Sequence, residues 1–240
     1  MGFDVSVGLF LCVDDADAAH WPTAERERWL AELNTALRAL GLPEHREPRS
    51  PADVEPPWEP ASDPCHLGAS LGSYSSHGRR VERLDWLARH VAVLGTAPAT
   101  DPPYEAGVYQ AYDDLPDRSR TFDHLLAACG HDAVILPRHL DEVLWAPGTT
   151  EAMWLVSASR IRIEAAALGH VLRYPGETGS PGTDPITGEP IAGDHFDHLT
   201  GHVADDAESW QPWAEVHQLC HRLLAAAHDV LRTGALGLTG

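Results

Sequence analysis

The sequence contains no lysine, so all 17 of its basic residues are arginine. Against 36 acidic residues, this leaves a formal net charge of −19 at pH 7. Such a charge argues against nucleic-acid backbones and anionic membrane surfaces as partners, because like charges repel. It suits a basic protein partner or a cationic ligand. Richness in alanine, arginine, glycine and proline without lysine is also typical of GC-rich bacterial coding sequences.

Cysteine is scarce, and long apolar runs are absent. Cys12, Cys65, Cys129 and Cys220 are widely spaced and form no C-x-x-C pair. This spacing argues against a zinc ribbon or a small disulfide scaffold and predicts buried, reduced thiols. No apolar run approaches the roughly 20 residues needed to span a bilayer, and the first residues lack the basic region of a signal peptide. We therefore expect a cytoplasmic protein without a membrane partner.

Hydrophobic periodicity predicts an alternation of strands and helices. Apolar residues alternate with small or polar ones from Phe3 to Val13, which predicts a strand with one buried face. Two further short strands are predicted at Ala133–Leu136 and Leu236–Leu238. Apolar residues at helical spacing predict helices over residues 22–41, 73–95, 122–129, 150–168 and 210–232.

Irregular segments rich in proline and glycine separate these elements. The two longest cover residues 43–72 and 173–209, and a third covers 98–116. Seven prolines lie between Pro43 and Pro64, so this stretch admits at most a short edge strand at residues 45–47. We predict a single α+β domain over residues 1–240, with a few short strands, four to five helices and two long loops.

Histidines cluster towards the end of the chain. Six of the fifteen lie in the last 46 residues, in one group of His195, His198 and His202 and another of His217, His221 and His228. Neutral imidazoles are common transition-metal ligands, and residues four apart on a helix can reach one ion. If the two groups converge, they predict a zinc, iron or manganese site. If they do not, each group is structural or solvated.

A second candidate site lies at a predicted helix start. Ser73, Tyr74, Ser75, His77, Arg79 and Arg80 place hydroxyls, an imidazole and two guanidiniums there. Free backbone N–H groups and the positive dipole end make such starts anion sites. The alternative is a capping cluster with solvated arginines.

Three motifs carry a resemblance to a known family. They are Gly72-Ser73-Tyr74-Ser75-x-His77-x-Arg79-Arg80, the opening Phe3-Asp4-Val5-Ser6-Val7-Gly8, and Phe122-Asp123-His124-Leu125 leading into Leu136-Pro137. With them the chain resembles a family of uncharacterised bacterial proteins of actinobacterial type. The resemblance implies a small cytoplasmic protein of immunity or regulatory style and carries no established activity. The histidine-rich stretch from Asp194 to His202 departs from the family pattern.

Three functional hypotheses follow. The first is a non-catalytic protein that binds another protein, in the manner of immunity or regulatory proteins. The second is a metal-dependent hydrolase or oxygenase using the histidine groups, with Asp194 or Asp197 as a further ligand or general base. The third is binding of an anion or small ligand at Ser73–Arg80.

Overall fold

A computed structural model describes residues 5–11, 19–54, 77–98, 106–116, 121–130, 132–146, 153–172 and 213–240. In these ranges the chain forms six α-helices and one five-stranded sheet. This is the predicted α+β class, with one helix more than the expected four to five. Within the same ranges, every helix is too short or too polar to cross a membrane.

The five short strands form a mixed sheet in the order β1-β5-β2-β4-β3. Their bounds are β1 Val5–Val7, β2 Ala133–Leu136, β3 Leu144–Ala146, β4 Met153–Ser157 and β5 Gly237–Thr239. Strands β2 and β4 are parallel, and the other neighbours are antiparallel. The last strand therefore lies between the first strand and β2.

The six helices are α1 Thr23–Ala39, α2 His77–Leu94, α3 Ala106–Asp113, α4 Asp123–Cys129, α5 Ala158–Val171 and α6 Ala214–Thr233. A short 3₁₀ helix covers Pro51–Asp53. Helix α1 follows Pro22, which suits a helix start, and is followed by Gly41 with a φ of 74°. The predicted bounds are closely confirmed for helices α1, α4 and α6 and for strand β2.

The two faces of the sheet are covered differently. Ala133 and Ile135 of β2 contribute to a core with apolar residues of α2 to α6, which we call the five-helix face. Val134 and Leu136 contribute to a second core with α1, which we call the α1 face. Alternate residues of a strand point to opposite faces, so one strand serves both cores.

The predicted helix over residues 150–168 is wrong in its first part. Residues Met153–Ser157 form β4, and α5 begins only at Ala158. Strand β4 pairs with β2 on one side and with β3, which the sequence did not predict, on the other. The side chain of Ser157 then caps α5 by accepting a hydrogen bond from the Arg160 N–H. A short apolar run satisfies both periodicities, and strand pairing decided between them.

The prediction that residues 98–116 are irregular is wrong for Ala106–Asp113, which form α3, while residues 99–105 lie outside the described ranges. Tyr112 is buried, and its hydroxyl donates a hydrogen bond of 2.5 Å to Asp123 Oδ1. This anchor joins α3 to the start of α4. The sequence did not predict α3 because the prolines on either side of it indicate irregular structure, whereas Asp123, which anchors it, lies outside the segment.

The first strand is shorter than predicted. It ends at Val7, and residues 9–11 form a turn; residues 3–4 and 12–13 lie outside the described ranges. Gly8 has a φ of 89°, and a Cβ there would lie 2.7 Å from Leu11 Cβ. Glycine thus allows the chain to turn back at this point.

The expected edge strand at residues 45–47 is absent: this part of the described chain has no regular structure. Instead, the buried Glu47 side chain accepts hydrogen bonds from the Leu9 N–H at 2.6 Å and the Leu236 N–H at 2.9 Å. A carboxylate therefore satisfies two buried backbone donors in this segment. Apart from the 3₁₀ helix at Pro51–Asp53, residues 43–54 are irregular as predicted, whereas residues 55–72 and 173–209 lie outside the described residues.

Candidate functional site

The structure places the predicted anion site only in part. His77, Arg79 and Arg80 fall in the first turn of α2, at a helix start as predicted. The structure does not describe the side chains of these three residues. Ser73, Tyr74 and Ser75 lie outside the described residues. Anion binding at this position stays a prediction.

The histidine groups are likewise placed in part. His195, His198 and His202 lie outside the described residues. His217 and His221 are half-buried on α6, with ring centroids 4.6 Å apart and ring planes at 62°. Within the described ranges, there is no group of three or more metal-ligating side chains. Convergence of the two groups on zinc, iron or manganese therefore stays a prediction.

A polar cluster that the sequence did not predict is buried between α4 and α5. Glu164 Oε2 accepts a hydrogen bond of 2.7 Å from the Leu125 N–H, and Arg160 Nη2 lies 3.1 Å from its other oxygen. His124 Nδ1 accepts a hydrogen bond of 3.1 Å from the Ser157 N–H. Burial, with the nearby Arg160 charge, lowers the pKa of His124 to about 3. His124 is therefore neutral in the folded protein and joins α4 to the sheet.

A Ser-His-Asp arrangement lies at the carboxyl ends of β2 and β4. Ser159 Oγ is 3.1 Å from His139 Nδ1, and His139 Nε2 is 3.1 Å from Asp141 Oδ1. The Asp141 side chain is 99% exposed and that of His139 60%. A catalytic triad needs a buried acid to hold the imidazole. Because water competes for both contacts here, we assign these residues no catalytic role.

A cavity of about 520 Å³ lies between the first half of α1 and the sheet edge where β2 and β4 begin. Its apolar wall includes Trp21, Trp29, Val134, Met153 and Leu238. The rings of Trp21 and Trp29 meet edge to face, with centroids 5.9 Å apart. A volume of this size is in the range of ligand pockets, which combine apolar walls with a few polar groups.

The charged lining of this cavity is mostly acidic. Glu25, Glu32 and Asp132 contribute carboxylates, and Arg28 contributes one guanidinium. Glu25 and Asp132 are exposed, so negative charge reaches the solvent at the cavity. The sequence carries a signal for it: on α1, Glu25, Arg28, Trp29 and Glu32 recur at the spacing of one helix face.

Exposed charge over the described residues is also unbalanced. Ten exposed carboxylates belong to Glu25, Glu27, Glu44, Asp53, Glu82, Asp113, Asp114, Asp132, Asp141 and Glu142. Six exposed guanidiniums belong to Arg28, Arg38, Arg46, Arg49, Arg222 and Arg232. Three of the six form ion pairs, Arg38 with Glu44, Arg49 with Glu27 and Arg232 with Asp229. The described surface is therefore predominantly acidic.

A family model described as "Putative DNA-mimic protein" matches residues 1–236. Comparison with curated proteins and with solved structures finds no match. The match supports a family relationship over nearly the whole chain, whereas the Gly72–Arg80 motif and the bacterial origin stay predictions. Because the match covers nearly the whole sequence, the chain belongs to this DNA-mimic family.

Proposed function

We propose that this protein binds a DNA-binding protein without catalysis, presenting carboxylates where that partner normally receives phosphates. The observation that carries the proposal is the net charge of −19 in a chain that a DNA-mimic family model matches over residues 1–236. Proteins that bind DNA derive much of their affinity from arginine and lysine contacts to phosphates. An acidic surface of suitable spacing can occupy those same contacts.

The positions of the exposed carboxylates support this proposal. Glu25 lies on α1, Glu82 on α2 and Asp113 on α3, and Asp132 directly precedes β2. Helices and strands hold their side chains at fixed separations, as a duplex holds its phosphates. A surface ordered before binding loses less conformational entropy on association.

A regulatory or immunity function follows from such binding. A protein that occupies the DNA-binding surface of its partner competes directly with DNA. The partner is then inhibited for as long as the complex lasts, without any chemical step. This is the role that the family resemblance of the sequence implies.

Competition with DNA tests the proposal. The full-length protein is immobilised and exposed to a fraction of the source cell lysate that was purified on DNA-cellulose. We expect captured proteins to be released by short duplex DNA and by rising salt, because the contacts are electrostatic. The DNA-cellulose flow-through, which lacks DNA-binding proteins, is the matched control. Capture that duplex DNA fails to displace, or no enrichment over the flow-through, would contradict the proposal.

The metal-dependent enzyme is a second candidate because His217 and His221 lie in contact on α6. Elemental analysis after supplementation with zinc, iron and manganese discriminates the two functions. Stoichiometric metal that is lost in His217→Ala and His198→Ala would favour the enzyme. Metal content well below one ion per chain, or unchanged in both variants, would exclude it.

A further inference from the structure

We propose that the cavity between α1 and the sheet receives a guanidinium group, supplied by an arginine side chain of the basic partner. This inference rests on the proposed function and adds a specific site to it. Three properties of the cavity support a guanidinium: the sign of its charge, its indole wall, and the geometry of its carboxylates.

The charge of the cavity selects a cation. The lining residues that the structure describes include three carboxylates and one guanidinium. The carboxylates belong to Glu25, Glu32 and Asp132, and the guanidinium belongs to Arg28. Glu25 and Asp132 are exposed, whereas Glu32 is half-buried. An entering cation therefore meets more negative than positive charge in the described lining. Apolar walls lower the local dielectric constant and strengthen this attraction.

The indole wall selects a cation that can stack. The faces of aromatic rings attract cations, and arginine is the more frequent partner of tryptophan. The chain already shows this preference beside the cavity, where the Arg26 guanidinium lies 5.3 Å from the ring centroid of Trp21. Arg26 Nε also donates a hydrogen bond of 2.7 Å to the Trp21 carbonyl oxygen. Trp21 therefore already contacts one guanidinium of this protein, and Trp29 is the second indole of the cavity lining.

The arrangement of acids selects guanidinium over ammonium. Glu25 and Glu32 lie two turns apart on α1, and Asp132 approaches from the sheet. A planar guanidinium has five N–H donors that point in several directions in one plane. An ammonium group is a compact charge that is strongly hydrated and stacks less well. A cavity with separated carboxylates and an indole wall therefore suits arginine better than lysine.

Small probes test the site without the partner. The full-length protein is titrated with Nα-acetyl-arginine methylamide while the indole N–H signals of Trp21 and Trp29 are followed by NMR. Trp21→Phe and Trp29→Phe assign those two signals. The citrulline methylamide has nearly the same shape without the charge, and the lysine methylamide carries the charge without the planar group.

We expect the arginine probe to shift both signals and to saturate at millimolar concentration. The citrulline probe should bind about tenfold or more weakly, because hydrogen bonds to charged groups are the stronger ones. The lysine probe should bind several-fold more weakly than the arginine probe. Saturation that is absent below about 50 mM, or equal binding of citrulline or lysine, would overturn the inference.

Matched variants locate the binding. Asp132→Asn and Glu25→Gln should each weaken the arginine probe about fivefold or more, since each removes a charge from the lining. Asp141→Asn is the control, because this exposed carboxylate lies beyond the opposite end of β2 and outside the cavity lining. An equal effect of Asp132→Asn and Asp141→Asn would overturn the inference.

Capture that DNA competes with is measured in a separate experiment from probe binding. If the arginine probe fails to bind, the inference about the cavity is wrong but the proposed function is unaffected. If capture fails, the proposed function is wrong but the result for the cavity is unaffected.

Discussion

The two faces of the sheet are stabilised by different means. On the five-helix face, apolar residues from α2 to α6 pack into one continuous core. On the α1 face, α1 is the one helix of the described residues that packs on the sheet, and a cavity lies beside its first half. There the buried Glu47 carboxylate joins the turn after β1 to the start of β5 through hydrogen bonds. The first face provides bulk stability, whereas the second combines a polar clamp with room for a ligand.

Removing the Glu47 carboxylate should have the largest effect on stability. Glu47→Ala leaves the Leu9 and Leu236 N–H groups and His45 without their acceptor, since His45 Nε2 lies 2.6 Å from Glu47 Oε2. We expect a loss of about 3–5 kcal/mol in the free energy of unfolding, measured with urea. Glu44→Ala is the control in the same segment, because its ion pair with Arg38 is exposed and contributes less than about 1 kcal/mol. Equal losses in the two variants would refute the clamp.

Truncating a buried leucine on the five-helix face should cost slightly less on average. Leu168 is fully buried on α5, within the core shared with α6. Leu168→Ala should lower the free energy of unfolding by about 2–5 kcal/mol, because a cavity replaces packed methyl groups. Leu94→Ala on α2 is the control, since Leu94 is 60% exposed and should change stability by less than about 0.5 kcal/mol.

The buried histidine of the five-helix face predicts a pH dependence. His124 has a pKa of about 3 in the folded protein, because burial and Arg160 disfavour its charge, against about 6.5 in the unfolded chain. The unfolded chain therefore binds one more proton between these values. Stability should fall as pH decreases below about 6.5, by up to about 1.4 kcal/mol per pH unit from this group.

Urea unfolding at pH 7, 6 and 5 measures this slope. In His124→Asn the side chain keeps an acceptor for the Ser157 N–H but has no proton to gain. The variant should therefore lack this part of the slope. Identical slopes in the variant and the unmodified protein would show that His124 is not held neutral by folding.

The smallest effect on stability is expected at the cavity. Asp132 has a φ of 68°, a conformation that aspartate and asparagine tolerate better than other non-glycine residues. Asp132→Asn should change the free energy of unfolding by less than about 0.5 kcal/mol. Asp132→Ala, which loses this tolerance, should cost about 1 kcal/mol. A large loss of unfolding free energy in Asp132→Asn would mean that this carboxylate stabilises the fold. That result would contradict the assignment of the cavity to ligand binding and of stability to the five-helix face and the Glu47 carboxylate.

The elements that sequence analysis placed correctly are those with a long or isolated pattern. Helix α6 extends over Ala214–Thr233, and its apolar stripe is long enough to allow no other period. The acidic surface also follows directly from composition. The sequence did not predict the candidate cavity because the carboxylates and Trp29 of α1, and Trp21 just before it, form a site only together with Asp132, which is about a hundred residues away.

The sequence by itself determined the class of the fold, the sign of the surface charge and the helices with clear starts and stops. The tertiary structure alone decided that Met153–Ser157 is a strand, that Ala106–Asp113 is a helix and that a cavity opens beside α1. The physical reason is the range of the interactions. Periodicity and capping act between residues a few positions apart, whereas strand pairing, the Tyr112–Asp123 hydrogen bond and the Glu47 clamp join segments that only folding brings together.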